Sequence, residues 1–201
     1  MKRMSYALAF MVLAGTPFYA QQSSEVVALG GGRVAQRASA RVLYSNRADN
    51  TFPGQFSISY GQPEWRSEYE DPTTFDQMTQ GRVWRMGNNF WTVLDTNLPL
   101  RIAGREIAAG AYYLGIHRSE DGGTWSLAFM DPTKIRRARL DASEIHKATV
   151  DFMVPMTFLK AEEPAEKLAI SLNTEELTDV TLKVVWGTLQ LTTPIQVIGL
   201  E

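Results

Sequence analysis

The sequence contains no cysteine and only two histidines among its 201 residues. The absence of cysteine excludes disulfide bonds, thiol nucleophiles, zinc fingers and lipid attachment at a cysteine. His117 and His146 have no partner at a metal-ligand spacing such as H-x-x-x-H. No serine lies in a G-x-S-x-G elbow that would favour a Ser-His-Asp set with His117. We therefore predict no catalytic residue, no metal site and no cofactor.

The chain also lacks an excess of basic side chains. It has 20 Lys and Arg against 22 Asp and Glu, so its formal net charge is −2. Because a nucleic-acid surface needs clustered Lys and Arg in excess, we predict no nucleic-acid partner. The small basic cluster at residues 134–139 is interpreted as a solvated helix face. A hydrophobic content of 44% is sufficient for a packed core, and the length suits one domain.

The first twenty residues are predicted to be a secretory signal peptide. Lys2 and Arg3 precede a short apolar run at residues 7–14, and a Gly/Pro break leads to the small residue Ala20. This order is typical of a signal peptide and predicts cleavage between Ala20 and Gln21. The alternative, an N-terminal membrane anchor, needs about 20 apolar residues, and this run is shorter. We expect an exported protein, periplasmic or secreted, with no transmembrane span after signal removal.

Residues 21–38 are predicted to be a flexible linker. They mix Gln, Ser and three consecutive glycines and show no sustained apolar period. The glycine run at residues 30–32 lacks both the G-x-x-x-x-G-K-[ST] pattern and the strand–G-x-G-x-x-G–helix context of phosphate-binding loops. The remaining residues, 39–201, are predicted to form a single β-sandwich domain.

From about residue 39 onwards, the hydrophobic pattern has a period of two residues, which is typical of half-buried strands. Apolar residues alternate with polar or smaller ones at residues 56–60, 125–130, 149–154 and 180–186. Turn-forming residues separate these runs. Many short strands at this spacing predict an all-β fold, an antiparallel β-sandwich that is jelly-roll-like or barrel-like.

Helix is predicted to be scarce. Asp131 followed by proline is typical of an N-cap and a first helical position, which predicts a short helix over residues 132–140. Asp141 and Glu144 have the spacing of a second capping box. We therefore expect helix in one or two short pieces near residues 131–146.

Acidic side chains cluster in one further segment, and their oxygens are candidate ligands for calcium. They lack the D-x-[DN]-x-[DN]-G order of a calcium-binding loop, so we interpret the segment as a solvated loop. The side chains concerned are Glu68, Glu70, Asp71 and Asp76.

The five tryptophans are the largest apolar side chains in the sequence. Trp125 and Trp186 are in phase with apolar strand faces and are predicted to be core residues. Trp65 lies in a polar segment, which predicts an exposed ring that can stack on a sugar or another ligand. Trp84 and Trp91 flank an unusual segment.

That segment, GRVWRMGNN at residues 81–89, resembles the G-x-V-W-R-x-G-A-N-E hallmark of a bacterial family, domain of unknown function 2911. Residues 100–114 are similar to its strand–glycine turn–strand pattern, and residues 125–129 to its W-x-x-x-F strand. Residues 183–195 resemble its last pair of strands. The resemblance covers the chain from about residue 39 to the C-terminus. It implies export and an all-β domain, and it brings no known activity.

The motif also departs from the family. The family has Ala-Asn-Glu after the glycine, whereas this chain has Asn88, Asn89 and Phe90. A role that the family's Glu plays would therefore be lost here. Arg85 beside Trp84 and two amides can hold a carboxylate or a sugar, or it can pin a loop onto the sandwich. The candidate binding residues are Trp84, Arg85, Asn88, Asn89 and Trp65.

These observations favour a non-enzymatic β-sandwich binding or accessory domain of the bacterial envelope, with an unknown ligand or envelope partner. A hydrolase-type enzyme and a carbohydrate-binding module remain open as alternatives. The surroundings of Arg85 discriminate between them. A concave pocket with convergent polar groups indicates a ligand, and an enzyme needs a titratable pair within reach. An Arg85 bonded to backbone carbonyls indicates an accessory role.

Overall fold

The structure, a computed structural model, describes residues 37–200 as an antiparallel β-sheet with short helices between some strands. The predicted signal peptide, the cleavage between Ala20 and Gln21, and residues 21–36 lie outside the described residues. The first strand begins at Arg37, two residues before the predicted start of the domain. Across residues 37–200, no helix combines the length and apolarity that crossing a membrane requires.

The described part of the chain forms ten strands and four short helical segments. The strands are β1 (Arg37–Asn46), β2 (Thr51–Gly61), β3 (Arg82–Arg85), β4 (Thr92–Thr96), β5 (Leu100–Ile102), β6 (Arg105–Ile107), β7 (Gly110–Arg118), β8 (Trp125–Met130), β9 (Phe152–Thr174) and β10 (Asp179–Val197). The helices are α1 (Pro72–Thr79) and α2 (Pro132–Arg137), with 3-10 helices at Ser67–Glu70 and Ala142–Lys147.

The strands pair in the order β1-β2-β4-β7-β8-β9-β10-β5-β6, and each of these pairs is antiparallel. Strand β3 pairs with the second half of β7, next to β4, which pairs with the first half. The prediction of an all-β, antiparallel, sandwich-like fold is confirmed.

Two long strands allow the sheet to fold over on itself. Strand β9 has 23 residues and β10 has 19. The first five residues of β9 pair with β8, whereas most of its length pairs with β10. The β9–β10 register shifts on both sides of Gly187. Since a bulge bends a strand and increases its twist, these shifts let both parts of the sheet face one core.

Backbone pairing also joins the chain after β2 to the middle of β9. Trp65 N donates to the Glu166 carbonyl over 2.6 Å, and Leu168 N donates to the Pro63 carbonyl over 2.9 Å. The Tyr60 hydroxyl accepts from Ile170 N over 2.9 Å. The inner face between these strands is mainly apolar. Its fully buried side chains include Phe56, Ile58, Leu114, Ile116, Leu127, Phe129, Leu182 and Val184.

The outer face of β7 and β8 carries a second, smaller core. Trp91, Tyr113 and Met130 pack there against Ile135 of α2 and Ile145 of the 3-10 helix that follows it. Strand β8 is therefore buried on both faces over Ala128 and Met130, where the alternation alone predicts a solvent face.

The predicted caps are present: Asp131 accepts from Thr133 N, and Asp141 forms a capping box with Glu144.

Helix is not confined to residues 131–146, so that part of the prediction is wrong. Helix α1 follows Asp71, whose side chain accepts from Thr74 N, and it has proline at its first position. These are the signals that also start α2. The solvated-loop interpretation of this segment, which rests on its acidic side chains, does not account for this helix. The segment is ordered by partners distant in sequence, which are described below.

Candidate functional site

The structure places Trp84 and Arg85 on opposite faces of β3, because neighbouring residues of a strand point in opposite directions. Trp84 pairs with Ile116 on the core side, and its ring centroid lies 5.8 Å from that of Trp186. Arg85 pairs with Gly115 and points to the other face. The two side chains therefore do not form one stacked binding unit.

Arg85 is bonded to the turn that follows its own strand. Its Nε donates to the Gly87 carbonyl over 3.1 Å, and its Nη1 donates to the Asn89 carbonyl over 3.2 Å. Asn89 Nδ2 donates to Asn88 Oδ1 over 3.2 Å. Arg85, Asn88 and Asn89 thus share one turn, as the motif indicated. Their role in binding a ligand stays a prediction.

The same turn packs closely against the end of β2. Gly87 has a φ of +147°, and a Cβ there would lie 2.9 Å from Thr92 Oγ1 and 3.0 Å from the Gly61 carbonyl oxygen. The buried Thr92 hydroxyl donates to the Met86 carbonyl. Only glycine fits such an approach at this φ. The motif therefore forms the break between β3 and β4 along the edge of β7.

Trp65 belongs to a different place in the fold. Its ring centroid lies 5.1 Å from Trp186, 5.4 Å from Tyr69 and 5.9 Å from Phe75. It is half-buried rather than exposed, because the backbone around it pairs with β9 and turns the ring onto the bulge of β10. Trp125 and Trp186 are buried at 5% exposure each, which confirms their prediction as core residues.

These rings line a cavity of about 430 Å³, which we call the aromatic cleft. Its size lies within the roughly 300–1,000 Å³ of small-molecule sites. The aromatic side chains of its wall are Trp65, Tyr69, Phe75, Trp125 and Phe158. Its charged side chains are Glu70, Asp76, Arg118 and Lys160.

Arg118 is the most extensively hydrogen-bonded charge of the cleft. Its side chain is only 14% exposed, and its Nη1 donates to Asp76 Oδ1 over 2.6 Å and to Thr79 Oγ1 over 3.0 Å. Its Nε donates to the Gly122 carbonyl over 2.9 Å. The guanidinium carbon lies 5.1 Å from the Trp125 ring centroid, within cation–π range. Arg118 therefore ties α1 and the loop after β7 to the core.

The mouth of the cleft is formed by exposed side chains. Phe158 is 51% exposed, and its ring is nearly parallel to that of buried Trp125, with a centroid distance of 6.2 Å and an angle of 22°. Glu70 and Lys160 are also exposed. With Asp76 engaged by Arg118, the cleft presents ring surfaces inside and hydrogen-bonding groups at its rim. This combination is suited to binding a small molecule.

The remaining candidate positions lie away from the cleft. His117 is half-buried in β7 between Val83 and Ser126, and His146 is exposed in a 3-10 helix. In the basic cluster at residues 134–139, Lys134 pairs with Asp151, and this hydrogen bond raises the pKa of Lys134. The cluster is exposed, as expected of a solvated helix face.

Sequence reasoning missed most of the cleft. Tyr69 and Phe75 lie in the segment interpreted as a solvated loop, and Phe158 lies in a run that showed no clear alternation. Arg118 is the last residue of β7, and a charged residue beside a loop does not by itself indicate a site. The available signal was the alternation of β7, which puts Arg118 in phase with buried Leu114 and Ile116.

A comparison with protein-family models matches residues 46–195 to Protein of unknown function (DUF2911). The chain belongs to this family. The DUF2911 match contains the motif at residues 81–89 and every residue that lines the aromatic cleft. The resemblance seen in the sequence is thereby confirmed. Searches of curated proteins and of solved structures found no match.

Proposed function

We propose that this DUF2911 protein is an exported, non-enzymatic binding domain of the bacterial envelope, and that its ligand site is the aromatic cleft. One observation carries the proposal. Five aromatic side chains line a single open cavity of about 430 Å³ in which Arg118 is already held in place. A site of this kind supplies apolar area for affinity and a few fixed polar groups for orientation.

The contacts of Arg118 support binding with little reorganisation. Asp76 and Thr79 accept from its Nη1, and the Gly122 carbonyl accepts from its Nε. A ligand therefore does not have to order this long side chain, which would otherwise cost about 0.5–1.5 kcal/mol. The Asp76 carboxylate is occupied by the same ion pair, so it is poorly placed to serve as a free general base. This favours a binding role over the hydrolase alternative.

The export part of the proposal rests on the basic–apolar–small order of the first twenty residues. Expression in a Gram-negative host followed by fractionation and N-terminal sequencing tests it. We expect the protein in the periplasm or the medium, with an N-terminus near Gln21. A cytoplasmic protein that retains Met1 or Lys2 at its N-terminus contradicts export.

The binding part is tested by thermal unfolding of the exported protein with five probes, each at millimolar concentration. These are a neutral trisaccharide, indole-3-acetate, a nucleoside monophosphate, decanoate and a tripeptide. A compound that binds only the folded state raises the melting temperature, by the equivalent of about 2.7 kcal/mol at one hundred times its Kd. We expect at least one probe to do so.

Two matched variants then locate the site. Phe158 and Leu159 are adjacent and equally exposed, at 51% and 50%, but only Phe158 lines the cleft. Phe158→Ala is expected to reduce the thermal shift, and Leu159→Ala is expected to leave it unchanged. If no probe produces a shift, or if the shift survives Phe158→Ala in full, the cleft is not the ligand site.

A further inference from the structure

We infer that the ligand of the aromatic cleft is a short neutral saccharide. This inference rests on the proposed function of the cleft as a binding site and names the class of molecule that the site takes. It draws on the ring surface at the mouth, on the balance of charge around the rim, and on the size and openness of the cavity.

The ring surface at the mouth fits one face of a sugar. A pyranose ring presents a flat face of C–H bonds, while its hydroxyl groups point outward from the edge. Phe158 is half exposed, and Trp125 lies nearly parallel to it at 6.2 Å on the buried side. The Phe158 ring is therefore supported from beneath and leaves apolar area in contact with water. Covering that area with a sugar face removes it from water.

The charges around the cleft give neither anions nor cations a net attraction. Glu70 and Asp76 are balanced by Arg118 and Lys160, so the lining has no net charge. An anion is attracted by Lys160 and repelled by Glu70, whereas a cation is attracted by Glu70 and repelled by Lys160. A hydroxyl group, in contrast, donates to a carboxylate and accepts from an ammonium or guanidinium group. A neutral molecule rich in hydroxyls can therefore use both signs of charge at once.

The cavity is open, so a bound saccharide does not have to fit inside it completely. Its volume of about 430 Å³ lies in the lower part of the range of small-molecule sites, roughly 300–1,000 Å³. Phe158, Glu70 and Lys160 are all exposed along the rim. A saccharide seated against Phe158 can therefore continue beyond the cleft into solvent.

Isothermal titration calorimetry of the exported protein with five trisaccharides tests the inference. N,N′,N″-triacetylchitotriose, cellotriose and maltotriose are neutral. The glucosamine trimer is the cationic counterpart of triacetylchitotriose, and the galacturonic acid trimer is an anion. We expect at least one neutral trisaccharide to bind, and both charged trimers to bind at least about tenfold more weakly than it, because a lining without net charge does not compensate for the hydration that a charged sugar loses.

Variants connect the measured affinity to the cleft. Phe158→Ala is expected to weaken the neutral trisaccharide about tenfold or more, whereas Phe158→Tyr keeps a ring and retains binding. Leu159→Ala is expected to bind as the wild type does. Circular dichroism and the unfolding midpoint of each variant verify that it is folded.

The outcomes separate this inference from the proposed function. If none of the neutral trisaccharides binds, but indole-3-acetate or another probe binds in a Phe158-dependent way, the saccharide is wrong and the binding function stands. If a charged trimer binds as tightly as the neutral ones, the selection by charge is wrong. If nothing binds in a Phe158-dependent way, both the inference and the proposed function are overturned.

Discussion

The indole ring of Trp65 occupies the space that a side chain at residue 187 would need. Gly187 has a φ of +54°, and a Cβ built on it would lie far inside the van der Waals contact distance of three Trp65 ring atoms. The glycine at the bulge of β10 therefore allows the strand to bend and also admits the tryptophan that forms one wall of the aromatic cleft.

We predict that Gly187→Ala destabilises the protein by about 2–4 kcal/mol, because left-handed backbone strain and overpacking against Trp65 both contribute. Urea denaturation measures the change. Gly104→Ala is the matched control: Gly104 also has a positive φ, of +85°, but nothing lies within 4 Å of its missing Cβ. This control should cost only about 1–2 kcal/mol. Equal losses for the two variants would show that Trp65 does not crowd residue 187.

Arg118 is predicted to stabilise the wall of the cleft through its partly buried ion pair with Asp76. Arg118→Met keeps the apolar stem but leaves Asp76 and the Gly122 carbonyl without their donor. We expect a loss of about 2–3 kcal/mol in unfolding free energy, less than for a fully buried pair because Asp76 is partly exposed.

The control for Arg118 is another arginine in an ion pair. Arg101 Nη2 lies 2.5 Å from Glu106 Oε1, and the two side chains are 41% and 64% exposed, against 14% for the side chain of Arg118. Arg101→Met is expected to cost less than about 1 kcal/mol. We also expect amide exchange over α1 to be faster in Arg118→Met and unchanged in Arg101→Met. Unchanged exchange in α1 would contradict the anchoring role of Arg118.

Arg85 is predicted to act as a structural tie for the turn after β3. Arg85→Ala removes both hydrogen bonds to the Gly87 and Asn89 carbonyls and should cost about 1–2 kcal/mol, because water reaches part of this turn and replaces some of the bonding. Arg85→Lys should recover little, since one ammonium group does not reproduce the planar fork. Chemical denaturation of the wild type and both variants measures the effect. If all three unfold at the same denaturant concentration, the structural role is wrong, and a binding role for Arg85, Asn88 and Asn89 becomes the hypothesis to test.

Acid is predicted to weaken the cap of the second 3-10 helix. Hydrogen bonds from Ser143, with a smaller contribution from the charge of Arg85, hold the pKa of Asp141 below its ordinary value. Ionised Asp141 therefore stabilises the folded state above the unfolded pKa of about 3.9, and this stabilisation is lost as the pH falls through the lower folded pKa.

The variant Asp141→Asn keeps a capping side chain but has no charge. Urea midpoints at several pH values compare it with the wild type. We expect the wild type to be more stable at neutral pH, and the difference to shrink below about pH 4. A difference that stays constant down to pH 3 would mean that the ionised carboxylate is not the stabilising form.

The strands and caps were predictable because their signals are local. In β2, Phe56, Ile58 and Tyr60 are buried as their alternation indicates. Asp131 and Asp141 cap the segments that they were expected to cap. In each case the physical cause lies within a few residues: side chains of a strand alternate between faces, and a carboxylate reaches backbone N–H groups two or three residues ahead.

The candidate site was only partly predictable. The GRVWRMGNN motif correctly marked a special turn, but strand geometry separates Trp84 from Arg85, which adjacent letters in a sequence do not reveal. Of the five predicted binding residues, Trp65 is the one that lines the aromatic cleft. The sequence analysis did not identify Tyr69, Phe75 and Phe158, because the residues around each of them show no motif that marks a binding site.

The sequence by itself determined the all-β character of the chain, the positions of its main strands and the caps after β8, since these depend on interactions between near neighbours. Only the tertiary structure decided where the aromatic cleft lies. Trp65, Arg118 and Phe158 are far apart in the chain, and they meet because β9 and β10 bend at Gly187 and the segment after β2 pairs with β9. A cavity of this kind is a property of packing between distant strands, so no local pattern encodes it.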